Sequence, residues 1–229
     1  MLKVFIRQGF IAIILYFLSG IAYSQNLKKT ESITLTIGEN NLKGSAINVD
    51  FDKDATFKAW WKYSRKFSRT QTQKDYVMHT IPAVEGESTE SVIFYSRVEK
   101  VNDSSSKLNA VLGDNGMNSN DYAKYEGQIK KLLIDFRLNF YTNNLQQKIT
   151  EIEKKAARVS RSLDRQITQG YKLQQELRKA ETEPSNEQLL KDLKNNLKAN
   201  QQTQDSVNLQ LQEIQLIIEG YKRTMANVN

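Results

Sequence analysis

Along the last third of the chain, hydrophobic positions recur by alternating steps of three and four residues. The outgoing run is Leu145, Ile149, Ile152, Ala156, Val159, Leu163, Gln166, Gly170, Leu173, Leu177 and Ala180. The return run is Leu190, Leu193, Leu197, Asn200, Gln204, Val207, Leu211, Ile214, Ile218, Tyr221 and Met225. This step pattern is the seam of helices packed as a coiled coil. Laid antiparallel so that paired residue numbers sum to 370, the two runs match layer by layer. Their non-apolar layers also coincide, Gln166 with Gln204 and Gly170 with Asn200. The pattern predicts a long helical hairpin over 141–229 with its tip at 182–186. Pro184 stops the first arm, and Ser185 with Gln188 forms a capping box that opens the second. At about 1.5 Å per residue, arms of about 40 residues reach ~60 Å.

Upstream the period changes to two. Ile33, Leu35 and Ile37 alternate, a turn-rich stretch with Gly38 and Gly44 follows, and Ile47, Val49 and Phe51 alternate again. From Asp52, a candidate N-cap, the period is helical to Ser68, with Phe57, Trp60, Trp61, Ser64 and Phe67 on one face. Strand patterns return over 74–81, 91–101 and 108–112, the last two joined by the turn Asn102-Asp103-Ser104. A helix starting near Asn118 carries Ile129, Leu132, Leu133, Phe136 and Phe140, a broad face suited to a sheet, before its face narrows into the seam. The predicted fold is therefore α+β: a small antiparallel sheet with one short helix, followed by a long C-terminal antiparallel coiled-coil hairpin. The body spans 33–140, including the root of the long helix, and 25–32 reads as a flexible polar lead-in.

The first residues read as a secretory signal peptide, 1–24. Lys3 and Arg7 precede the apolar run Phe10–Leu18, and Ala22-Tyr23-Ser24 supplies small residues before Gln25. The run is too short for a membrane span, so the cleaved chain is expected not to span one. Export places the protein in a periplasmic or extracellular space, in keeping with a bacterial origin, and argues against nucleic acid as a partner. The formal charge of +7 becomes +5 without Lys3 and Arg7 (7 − 2), which suits acidic surfaces or simply keeps long helices soluble. With zero cysteines, thiol catalysis, thiolate metal sites and disulfides are excluded.

Little else in the chain carries chemistry. His79 is the sole histidine and has no Ser–His–Asp context. The acidic run Asp50-Phe51-Asp52-Lys53-Asp54 opens like a calcium loop, but Ala55 and Trp61 stand where that loop needs Gly and Glu. No catalytic, cofactor-binding or metal-ligating set is expected. Two basic stripes are candidate partner-binding residues: Lys154, Lys155, Arg158, Arg161 and Arg165 on the outgoing arm, and Lys58, Lys62, Arg65 and Arg69 opposite the aromatic face of the short helix. Each is equally the wet side of a helix, with Glu213 and Glu219 across the hairpin to neutralise the first.

The outline resembles the exported trimeric chaperones that carry coiled-coil tentacles, in architecture alone. In that family strands follow the return arm, and here no strand pattern does, so its cavity mechanism is not carried over. The expected function is an exported, non-enzymatic binding or scaffold protein that contacts other exported or envelope proteins through its sheet and its hairpin. A homo-oligomer is compatible with this. The alternatives are a holdase-type periplasmic chaperone and a carbohydrate-binding or enzymatic module on the body.

Overall fold

The computed structural model describes residues 27–82, 91–113, 119–182 and 187–228. The expected signal peptide, the expected cap at Asn118 and the expected turn at Pro184 and Ser185 lie outside them. The described residues divide into two compact units, which part between Asn143 and Asn144.

The first unit is built on a six-stranded antiparallel sheet. Its strands are β1 (Glu31–Ile37), β2 (Asn40–Val49), β3 (Arg69–Thr72), β4 (Val77–Ile81), β5 (Val92–Asn102) and β6 (Ser105–Leu112). Their order across the sheet is β1-β2-β6-β5-β4-β3. The turn-rich stretch proves to be a two-residue hairpin loop, since Ile37 pairs with Asn40. Gly38 takes φ +61° and no described non-Gly residue has positive φ, the arrangement of a type II′ turn, whose twist matches the strands. Gly44 lies within the strand, because a Cβ there would strike the backbone of Ala110 and Val111 on β6. At the β5–β6 turn, Asn102 Oδ1 accepts from Ser104 N at 2.8 Å, an Asx turn.

Helix α1 (Lys53–Ser64) connects β2 to β3 at the far edge of the sheet. Asp52 caps it as expected, accepting from Ala55 N at 2.8 Å. It is shorter than the periodicity implied: after Ser64 the chain tightens through Lys66 N to Tyr63 O and Phe67 N to Ser64 O, then extends as β3. Phe51 likewise falls beyond β2, with its ring 4.5 Å from Phe140.

Core residues come from the predicted faces. Val92, Phe94 and Val98 of β5, Leu108, Ala110 and Leu112 of β6, and Ile47 and Val49 of β2 are buried. Trp60 of α1 lies edge-on to Phe94 at 6.5 Å and to Phe136 at 5.1 Å. Phe136 belongs to helix α2 (Ser119–Thr182), which also buries Ile129 and Leu133 here. The lead-in is not a free tail from Leu27 onward. Leu27 is buried, and the guanidinium of Arg137 holds the carbonyls of Leu27 and Lys29, the latter at 2.9 Å.

The second unit pairs the rest of α2 with α3 (Glu187–Val228) as an antiparallel hairpin. All the predicted seam positions are buried or half-buried, whereas most of the others are exposed. Ile149, Leu193 and Ile214 are the most deeply enclosed apolar residues.

Candidate functional site

The polar layers of the hairpin form a closed amide cluster. Asn200 Nδ2 donates to Gln166 Oε1 at 3.0 Å and to Gln166 O at 3.1 Å, while Gln204 Nε2 donates to Asn200 Oδ1 at 2.6 Å. Gly170 makes the room: a Cβ on it would lie 2.7 Å from Asn200 Oδ1 and 3.0 Å from Gln204 Nε2. Amides buried in an apolar seam select one register, since any slip leaves them unpaired.

Outside the seam, Lys154, Lys155, Arg158, Arg161 and Arg165 are all exposed. Among the described residues none of them forms an ion pair. The expected neutralisation across the hairpin is absent there: Glu219 pairs with Arg223 on its own helix at 3.7 Å, and the inter-arm pair is Lys222–Glu153 at 3.8 Å. The hairpin also exposes large apolar side chains, Ile167, Tyr171, Leu209, Leu216 and Ile217. The sequence reading of the seam passed over these, because each stands off the three-four step. Their signal was Leu209 and Leu216, two leucines seven residues apart on the polar side.

On the body, Lys58 and Lys62 lie exposed on α1. Arg65 is its C-cap residue and lays its guanidinium 4.4 Å from the centre of the Trp61 ring. Arg69 departs from the expected stripe. It sits on β3, paired with Thr80, because the helix has already ended. The four residues thus do not form one helical row. Trp61 is 37 % exposed, with the Arg65 cation over its ring, while Trp60 is fully enclosed.

A groove of about 560 Å³ lies along β4 and β5, lined by Lys53, Phe57, Lys74, Tyr76, Arg97 and Lys100 among others. Its charges are partly engaged: Arg97 Nε donates to Asp75 O at 2.9 Å, and Lys100 pairs with Asp103 at 2.5 Å. Ser96, on its floor, is buried and already bonded on both sides.

That serine belongs to a buried chain that sequence reasoning did not foresee. Trp60 Nε1 donates to Ser96 Oγ at 2.8 Å. Ser96 Oγ lies 2.7 Å from His79 Nε2, and His79 Nδ1 lies 3.4 Å from Ser68 Oγ, which donates to Ser64 O at 2.9 Å. Donor accounting fixes the tautomer. Ser68 spends its proton on Ser64 O, so His79 Nδ1 carries the hydrogen and Nε2 accepts from Ser96. Burial lowers the His79 pKa to about 4, so the ring is neutral. It stacks on Phe94 at 4.3 Å and has no free lone pair to act as a base. Arg137 is also buried, at 3 % exposure, and carries a charge. Burial lowers its pKa, and Tyr141 and Asp50 oppose that effect. Tyr141 accepts from Asp50 N at 2.8 Å and donates to Asp50 Oδ2 at 2.7 Å.

Among the described residues no cluster of three metal-ligating side chains occurs, and no helix is long and apolar enough to cross a membrane. No protein-family model, curated protein or solved structure matches the chain.

Proposed function

We propose that the protein is an exported, non-enzymatic binding or scaffold protein that meets other exported or envelope proteins through its hairpin and sheet body. The observation that carries this reading is the surface of the hairpin. Its own seam absorbs the periodic apolar positions, yet Ile167, Tyr171, Leu209, Leu216 and Ile217 stay exposed outside it. Apolar side chains outside a completed seam are contact area for a further surface. The signal-like N-terminus supports export. The commitment of both His79 nitrogens and of Ser96 supports a structural role for the residues most able to do chemistry.

The test is photo-crosslinking in cells that make the full chain, with the probe placed at hairpin positions 171, 209, 215 and 217 and at body positions 61 and 101. Adducts to other exported proteins from hairpin positions are expected. Adducts from the body alone, or none, overturn the reading.

A further inference from the structure

We propose that the groove beside β5 takes an acidic, extended peptide segment of another protein as an added strand. The site lies wholly on the sheet body and does not depend on the hairpin being a contact arm. β5 runs to Asn102, but its ladder with β4 stops at the Val77–Ser96 pair. From Arg97 to Asn102 it is paired on one side only, with β6. One bond fixes the backbone directions: Ile93 O accepts from Gly113 N, just past the end of β6. In an antiparallel strand the N–H and C=O of a residue share a side, and that side alternates. Up to the irregularity after Lys100, odd-numbered residues of β5 therefore serve β6. Val98 and Lys100 aim both backbone groups at the groove, which they line. Opposite them the chain has turned away, since Gln73 N donates to Tyr76 O at 2.8 Å and closes the β3–β4 turn. Among the described residues no strand meets Val98 and Lys100 on that side. Val98 is only 6 % exposed, so its unpaired N–H and C=O carry a cost that an added strand removes.

The occupant follows from these groups. Donors and acceptors stand along β5 at the spacing of a sheet, which an extended peptide reproduces and a helix, its own amides already bonded, does not. The charges select among peptides. Arg97 pairs with Glu99 at 3.7 Å, and Lys100 with Asp103. Lys53 and Lys74 have no ion pair among the described residues, and Asp75 alone stands against them in the lining. Acidic side chains complete that balance. The faces are set too. Trp60 Nε1 bonds Ser96 Oγ, so the even-numbered side chains of β5 face α1, whose Phe57 and Lys53 line the groove. Tyr76 lies on the other face, edge-on to Tyr95 at 5.5 Å. An added strand sets one row, apolar and acidic, against Phe57 and Lys53, and its alternate row on the side of Tyr76.

The experiment uses the full chain and an end-capped fluorescent peptide repeating valine, threonine, glutamate, threonine, which puts valine and glutamate on one face. Anisotropy is expected to show binding that weakens about tenfold for Lys53→Glu and for Lys100→Pro. The proline removes an N–H that faces the groove and none that serves β6, so thermal melting of the chain should hold. With lysine for glutamate, the peptide should prefer Lys53→Glu to the native chain. N-methylation of alternate residues gives two further peptides. On one set the methyl groups block the edge that meets β5, and on the other they point away. One of these peptides should lose binding and the other keep it. Equal binding of both, loss of both, or no effect of Lys53→Glu overturns strand addition. Self-association of the chain that Lys100→Pro abolishes, without peptide binding, gives the groove to a second copy and overturns it too. Hairpin adducts in cells beside a chain that binds no peptide overturn the groove alone. Peptide binding without hairpin adducts removes the arm and leaves the groove.

Discussion

His79 keeps one ring proton because each of its neighbours has a single hydrogen to place, and that has a consequence for pH. Its folded-state pKa, about 4, lies below the ordinary value of 6.5. The unfolded chain therefore binds a proton more readily than the folded one. The stability tied to the neutral ring is complete above the ordinary value and is lost as pH falls from there through about 4. Between about pH 7 and about pH 4.5, urea unfolding should lose about 2–3 kcal/mol to this group. His79→Gln should be less stable near neutrality but show a flatter slope over that window; an unchanged slope contradicts the assignment. Arg137 acts differently, as a clasp on the carbonyls of Leu27, Lys29 and Asn48. Arg137→Ala should cost about 2–4 kcal/mol and speed amide hydrogen exchange around 27–31, since it strands several acceptors at once. Arg137→Lys should recover little, because a point charge cannot fork to three carbonyls. The clasp had a trace in the sequence: Arg137 stands four residues from Leu133 and from Tyr141, on the buried face of the helix.

Among the elements, the hairpin was the most legible, because a seam repeated over many turns leaves one consistent pairing. The buried face of β5 was equally plain from alternation, whereas β6 also buries Asn109 and Val111 on its other face, where Val111 packs with Leu35 and Ile37. What escaped was β3, whose Arg-Thr-Gln-Thr has no apolar alternation to announce it. An edge strand with one free side is held by backbone pairing to β4 rather than by a buried face. Missing it also extended α1 and misplaced Arg69. Likewise Lys74–Tyr76 were read into β4 because alternation continues past the strand's real start at Val77. Within the hairpin, the amide cluster ties the two arms to one register at some cost in stability. Asn200→Ala should lower hairpin stability by about 1–2 kcal/mol, leaving Gln166 and Gln204 underpaired. Replacing Gln166, Asn200 and Gln204 together by Leu should raise the thermal midpoint while loosening register. Calorimetry with exchange measurements on the arms checks both, and a destabilised triple variant would contradict the register role.

For the whole molecule, structure and sequence agree on an antiparallel sheet body and a C-terminal helical hairpin. The candidate binding residues on the arm are unpaired and exposed, so Arg158→Glu/Arg161→Glu/Arg165→Glu should shift unfolding by less than about 0.5 kcal/mol per residue. That separates a contact role from a folding role for the same side chains, by urea titration beside the photo-crosslinking. The candidate site was half legible: the cations announce themselves by charge, but that Glu219 pairs with Arg223 on its own helix depends on geometry that composition does not carry. All of this stands on one chain folding back on itself in one register. The cysteine-free sequence permits a clean test by a single engineered pair, Leu173→Cys with Leu197→Cys, whose numbers sum to 370. Under mild oxidation the account predicts a disulfide within the monomer, and none for Leu173→Cys with Leu190→Cys. Disulfide-linked dimers from the matched pair, or equal cross-linking of the mismatched one, would contradict it.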